Sequence, residues 1–136
     1  MKIFDEQGLD FCSNYFRTLF KWNGSWWTSS YAAYRACKDG KEDWESWSRL
    51  SPSEAKKRGD KVDPRPFWQD IKIDTMEEVL RAKFADEELS QLLKDTGDIE
   101  LVSWNFWHDT FWGKFIGTGQ GDNNLGKLLM KIRSEL

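Results

Sequence analysis

Two helix-start signatures in the middle of the chain, Ser51-Pro52-Ser53-Glu54 and Asp74-Thr75-Met76-Glu77, push this polypeptide towards a largely helical fold. In each, a short polar side chain can accept a hydrogen bond from the backbone N–H three residues on, and the glutamate there can reach back to the first N–H. Pro52 strengthens the first signature, because its fixed φ suits the opening position of a helix, where its missing N–H is not needed. That signature predicts a helix through Lys57 that stops at Gly59. The second predicts one with Met76, Val79, Leu80, Lys83 and Phe84 on a single face. Asp86 caps a further helix from Glu87 to Asp95, with Leu89, Leu92 and Leu93 inward and Gly97 as its terminator.

Other segments fill in around these. Thr28-Ser29-Ser30 offers N-caps for a helix from about Tyr31 to Cys37 that ends near Gly40, and Asp43 to Leu50 reads as a short helix. Lys21 to Trp27 reads as a hairpin turning at Asn23-Gly24, and Ile99 to Trp104 alternates like a strand. Asn123 or Asn124 starts the last helix, and residues 59–66, with Pro64 and Pro66, form a hinge-like loop. The expected fold is mainly α with a few short β strands, an α+β chain forming one domain over residues 1–136.

Composition narrows the function. A net charge of -3 leaves no wide basic face for sequence-independent duplex binding, although a local basic pocket fits. Cys12, Cys37 and His108 are too few, and too unevenly spaced, for a structural zinc site, and no metal or other cofactor is expected. Two cysteines behind a start, Met1-Lys2-Ile3-Phe4, that lacks a leader's apolar block point to reduced thiols in the cytoplasm. No apolar run has membrane-spanning length, so no membrane partner is expected. Nine tryptophans and nine phenylalanines exceed what such a polar chain ordinarily carries. About two in three of the indoles belong to the core, and the rest suit a flat ligand ring.

The last third concentrates the chemistry. Trp107-His108-Asp109-Thr110-Phe111-Trp112-Gly113 sets a carboxylate among tryptophans. Gly117-Thr118-Gly119-Gln120-Gly121-Asp122-Asn123-Asn124-Leu125-Gly126 then runs a glycine-rich turn into an asparagine-led helix. Such a turn can hold phosphate on backbone N–H groups. It can equally be a tight connection, with Gly126 allowing close helix packing.

These pieces, together with Ser13-Asn14-Tyr15-Phe16, Tyr34-Arg35-Ala36-Cys37-Lys38, Ala55-Lys56 with Gly59, and Arg65-Pro66-Phe67-Trp68, resemble the NADAR (YbiA-like) family along nearly the whole chain. Asp109-x-x-Trp112-Gly113 and the Gly119-to-Arg133 pattern are its most specific parts. The resemblance implies a compact, mainly α fold and cleavage of an N-glycosidic bond between ribose and a nitrogenous base. The substrates it implies are ribosylated pyrimidines or ADP-ribose on guanine, free or carried on nucleic acid. Two departures stand out: Tyr31 and Ala32 fall where the family has Glu and His, and Asp60 follows Gly59 where the family has Arg.

Breaking such a bond builds positive charge on the anomeric carbon, so the site calls for a carboxylate, an acid and an aromatic wall. The carboxylate is Asp109, which could alternatively cap the turn at Thr110-Phe111-Trp112. Lys56 could hold a phosphate or form an imine with the opened sugar, or be a surface lysine; Lys83 could serve a pocket or snorkel outward. Trp68 could stack on the base or anchor the core. Trp112, Gly113, Gly119, Asn124, Asn14 and Arg65 are assigned to substrate binding by the segments that carry the resemblance. Tyr31 joins them as a phenol whose ordinary pKa near ~10 makes it a poor acid, and His108 reads as a surface or hydrogen-bonded residue. Three functions compete: an N-glycosidase, a catalytically weakened nucleotide-binding module on the same fold, and an aromatic-rich interaction domain.

Overall fold

Ser29 has the extended backbone of an N-cap (φ −157°, ψ 148°), and its Oγ accepts from Ala32 N at 3.2 Å. That bond opens helix α1, Ser30–Asp39, which closes on Gly40 in the left-handed region (φ 69°). The computed structural model describes all of residues 1–136, and the chain divides into two compact units. One unit is Asn14–Asp86, which contains α1; the other joins Met1–Ser13 to Glu87–Leu136.

In the α1 unit, β1 (Phe20–Trp22) and β2 (Ser25–Trp27) form the expected antiparallel hairpin, with Phe20 opposite Trp27. Asn23 (φ 49°) and Gly24 (φ 76°) both take the positive φ that a tight two-residue turn demands. Alternation sends Phe20, Trp22 and Trp27 inward and leaves Lys21 and Trp26 exposed. Trp22 and Trp27 close over Trp44 at ring distances of 5.3 and 6.2 Å, which seats helix α2, Trp44–Ser48. Helix α3, Pro52–Asp60, carries both bonds of its capping box, Glu54 N to Ser51 Oγ at 3.2 Å and Ser51 N to Glu54 Oε1 at 3.0 Å.

Helix α4 departs from the expectation: it runs over Trp68–Lys83, so the Asp74 signature lies inside it. Thr75 Oγ1 bonds back to the Ile71 carbonyl at 2.9 Å, the usual use of a threonine within a running helix. Packing moved the start, because Trp68 is buried against Tyr34 of α1, ring centroids 5.3 Å apart, and anchors a turn that carries no cap of its own. Met76, Val79, Leu80, Lys83 and Phe84 are all buried, as their shared face requires.

The second unit opens with two 3₁₀ turns, Phe4–Gln7 and Asp10–Cys12. Helix α5 spans Glu87–Asp95. Leu89 and Leu93, four apart, are buried, whereas Leu92 falls to the side of that line and is 40% exposed, contrary to the expectation. The expected strand at 99–104 shrinks to β3, Trp104–Asn105, paired in parallel with β4, Lys114–Phe115. The stretch before β3 bonds to side chains instead of a neighbouring strand: Asn123 Nδ2 donates to Leu101 O at 3.0 Å, Asn123 Oδ1 accepts from Ser103 N at 2.9 Å, and Arg133 Nη1 donates to Ile99 O at 2.9 Å. Helix α6, Asn124–Ser134, buries Leu125, Leu128, Leu129 and Ile132. No helix is long and apolar enough to cross a membrane.

Candidate active site

The Asp-x-x-Trp-Gly segment and the start of α6 fold into one hydrogen-bonded knot. Asp109 Oδ1 accepts from Phe111 N at 3.1 Å and Trp112 N at 2.9 Å, so the carboxylate caps the turn it begins. No protein donor reaches Oδ2. The carbonyls of that turn are taken in order by α6: Asn124 Nδ2 and Phe111 O at 2.9 Å, Leu125 N and Trp112 O at 3.0 Å, Asn123 N and Gly113 O at 3.3 Å. A Cβ on Gly113 would overlap the Ser103 carbonyl, so glycine is what lets β3 and this turn approach.

A residue the sequence reading passed over holds the same loop from behind. Asn105 is 2% exposed; its Nδ2 donates to Asp109 O at 2.7 Å and Lys114 O at 3.2 Å, and its Oδ1 accepts from Asp109 N at 2.9 Å and Trp107 N at 3.3 Å. Both backbone groups of Asp109 are thereby fixed by one buried amide. Its only sequence signal was a polar residue at the inward end of an alternating segment.

Asn124 braces a carbonyl with its amide, and Asn123 (φ 52°), not Asn124, takes the cap position. Gly119 (φ 71°) closes a separate turn in which its N–H and that of Thr118 both bond Phe115 O, at 2.8 and 3.3 Å. Trp107 is half-exposed and edges onto Phe106 at 5.1 Å, while Trp112 edges onto Phe111 at 4.8 Å. His108 (φ 65°) is exposed and lies against Phe115, ring centroids 4.0 Å apart.

In the other unit, α1 is the hub. Asn14 is buried beside its first turn, accepting from Tyr31 N at 3.1 Å and from Ser30 Oγ at 2.7 Å, so it acts there as a brace. Arg65 N donates to Lys38 O at 2.8 Å, which ties the loop after α3 to the end of α1. Trp68 is 5% exposed against Tyr34, the position of a core anchor, the second of the two roles expected for it. Lys83 is fully buried, Nζ 5.2 Å from the Phe84 ring and 5.8 Å from the Phe16 ring; it does not snorkel.

Lys56 is 60% exposed and paired with Asp60 at 2.9 Å, so burial does not activate it for imine formation. Asp60 also receives Arg35 Nη2 at 2.7 Å. Those two donors, Lys56 first, hold the Asp60 carboxyl below its usual range. Tyr31 packs on Tyr15, centroids 4.8 Å apart, with the Arg35 guanidinium 5.8 Å from its ring. Burial is the main reason its phenol is pushed up to about 12, with Arg35 opposing, so it keeps its proton at neutral pH. No three His, Cys, Asp or Glu side chains gather as a metal would need.

Comparison with known proteins matches residues 5–136 to the NADAR domain, across both units. "N-glycosidase YbiA" of Escherichia coli (strain K12) is 36% identical over 129 residues, covering 91% of this chain and 79% of that protein. A "Riboflavin biosynthesis protein" of Vibrio vulnificus is 41% identical over 73 residues, 53% of this chain but 19% of that longer protein. The NMR structure of E. coli YbiA superposes with a TM-score of 0.84 at 33% identity, covering 99% of this chain and 82% of that one. With residues 5–136 matched to the domain and the fold shared with a solved relative, this chain belongs to the NADAR domain family.

Proposed function

We propose that this chain is an N-glycosidase that hydrolyses the bond between a ribose, borne as ADP-ribose or ribose phosphate, and a nitrogenous base such as guanine. The observation that carries the reading is Asp109, whose Oδ1 is fixed by two backbone N–H groups while Oδ2 accepts from no protein donor. A carboxylate held this way needs no rearrangement to face the positive charge that builds on the anomeric carbon as the C1′–N bond breaks. Water then adds to that carbon and gives up a proton, and the base departs protonated. The activity named for the E. coli relative supports the same reading.

A second reading, a nucleotide-binding module without turnover, is favoured by two observations in the α1 unit. Tyr31, where the resemblance leads one to expect Glu, holds its proton up to about 12, and Lys56 is occupied by Asp60. One experiment separates the two. The protein is incubated with ADP-ribosylated guanosine, ADP-ribose and a ribosylaminopyrimidine phosphate, and the products are resolved by chromatography beside Asp109→Ala. Released base that disappears in the variant supports the enzyme; calorimetric binding with no product supports the module.

A further inference from the structure

In a chain of net charge -3, the faces of α1 and α3 bring three cations, Arg35, Lys38 and Lys56, around a single carboxylate, Asp60. The local sum is three minus one, or +2. Arg35 can lie there because Gly59 has no side chain: a Cβ at that position would run into the guanidinium. Its Nε is buried and has no acceptor. Lys38 Nζ uses one N–H on Gly59 O at 3.1 Å, and burial, reinforced by Arg35, depresses its pKa. An added anion would offset the crowding of positive charge around Lys38.

Asp60 itself is badly placed for the helix that carries it. It is the last residue of α3, where the exposed carbonyls repel a carboxylate, so its pairing with Lys56 and Arg35 is what keeps it there. Its side chain is 52% exposed, and ion pairs at that exposure hold weakly. A phosphate group brings up to two charges and three acceptor oxygens to the same donors, and so outcompetes one carboxylate.

We propose that Arg35, Lys38 and Lys56 form a phosphate-binding site whose resting occupant is the chain's own Asp60, displaced when a phosphate group binds. The inference rests on the glycosidase reading only in taking that phosphate to belong to the substrate.

The test is titration of the 136-residue chain, at low ionic strength, with inorganic phosphate and separately with ribose 5-phosphate, followed by calorimetry. Asp60→Asn removes the competitor and tightens binding of both by about five-fold to ten-fold, the combined worth of its two ion pairs at a half-exposed carboxylate. Glu45→Gln makes the same change in net charge at an exposed residue paired only with Arg49, and leaves the affinity unchanged. Lys56→Gln, on an exposed side chain whose loss does not threaten folding, weakens binding. A gain for ribose 5-phosphate alone assigns the site to sugar phosphates; equal gains assign it to the phosphate group itself. Equal shifts in Asp60→Asn and Glu45→Gln, or no binding by Asp60→Asn at concentrations on the order of 10 mM, overturn the proposal. Phosphate binding without released base sinks the glycosidase alone, and released base without phosphate binding sinks this site alone.

Discussion

Replacing Asn105 with alanine removes four hydrogen bonds from behind the Asp109 loop. The one to Trp107 N is long, at 3.3 Å, and reaches an exposed residue that water can serve, so it contributes little. The other three, at 2.7, 2.9 and 3.2 Å, serve the Asp109 and Lys114 backbones from an amide that is 2% exposed. At about 1 kcal/mol each, their loss costs about 3 kcal/mol. For 136 residues the unfolding entropy is about 0.29 kcal/mol/K, which converts this into a fall in Tm of about 10 °C. In urea the midpoint drops by about 1.5 M for a slope near 2 kcal/mol/M. The nine tryptophans provide the fluorescence signal. Asn105→Asp keeps the acceptor oxygen but loses both donors and sets a negative charge against the carbonyls of Asp109 and Lys114, so it is at least as damaging. A midpoint shift below about 0.5 M for Asn105→Ala, or an Asn105→Asp variant as stable as the parent, refutes the view that this amide fixes the Asp109 backbone.

Two glycines separate close packing from conformation. Gly113→Ala forces a methyl onto the Ser103 carbonyl and costs about 3 kcal/mol or more, whereas Gly119→Ala meets open space and costs about 1 kcal/mol for its positive φ alone; urea midpoints that rank them the other way contradict the structure. The Tyr31 phenol has a folded pKa of about 12, above its ordinary value of 10.0, so its contribution to stability is complete below pH 10 and is lost as pH rises towards 12. Wild-type midpoints therefore fall more steeply than those of Tyr31→Phe across that window, and parallel profiles refute the assignment. Burial, aided by the charge of Glu78, pushes the Cys37 thiol up to about 12, and Cys12 is fully buried, so neither reacts with iodoacetamide at neutral pH until urea unfolds the chain. Rapid labelling of the native protein contradicts this burial.

Local signals were legible wherever the chain satisfies its own backbone. The Asn23-Gly24 turn, the Ser51 capping box and the Gly40 stop each depend on residues within a few positions of one another, and each stands where the sequence predicts it. The Asp74 signature failed because its first turn had already been supplied from upstream by the burial of Trp68, an interaction with a residue of α1 that no local pattern reveals. Leu92 and the strand at 99–104 failed for related reasons: an inward face is chosen by the partner surface, and extended backbone becomes a strand only if another strand arrives. The candidate site divides the same way. Asp109 was recognisable as a carboxylate at the head of a turn, yet the role of Asn123 stayed hidden because its partners Leu101 and Ser103 lie on a separate segment, and that of Asn105 because its amide meets Lys114 only where β3 and β4 pair.

Sequence by itself determined the helical composition, the hairpin, the resemblance to the NADAR family and the residue types available for chemistry, because helix caps, turn preferences and spaced motifs are written in neighbouring residues. Tertiary structure alone decided how those residues are used. That Asn123 ties the last helix to Leu101 and Ser103, that Trp68 and Lys83 are interior, and that Arg35 reaches across to Asp60 all depend on burial and on partners distant in the chain. Free energies of that kind belong to the assembled neighbourhood of a side chain, and its identity does not carry them.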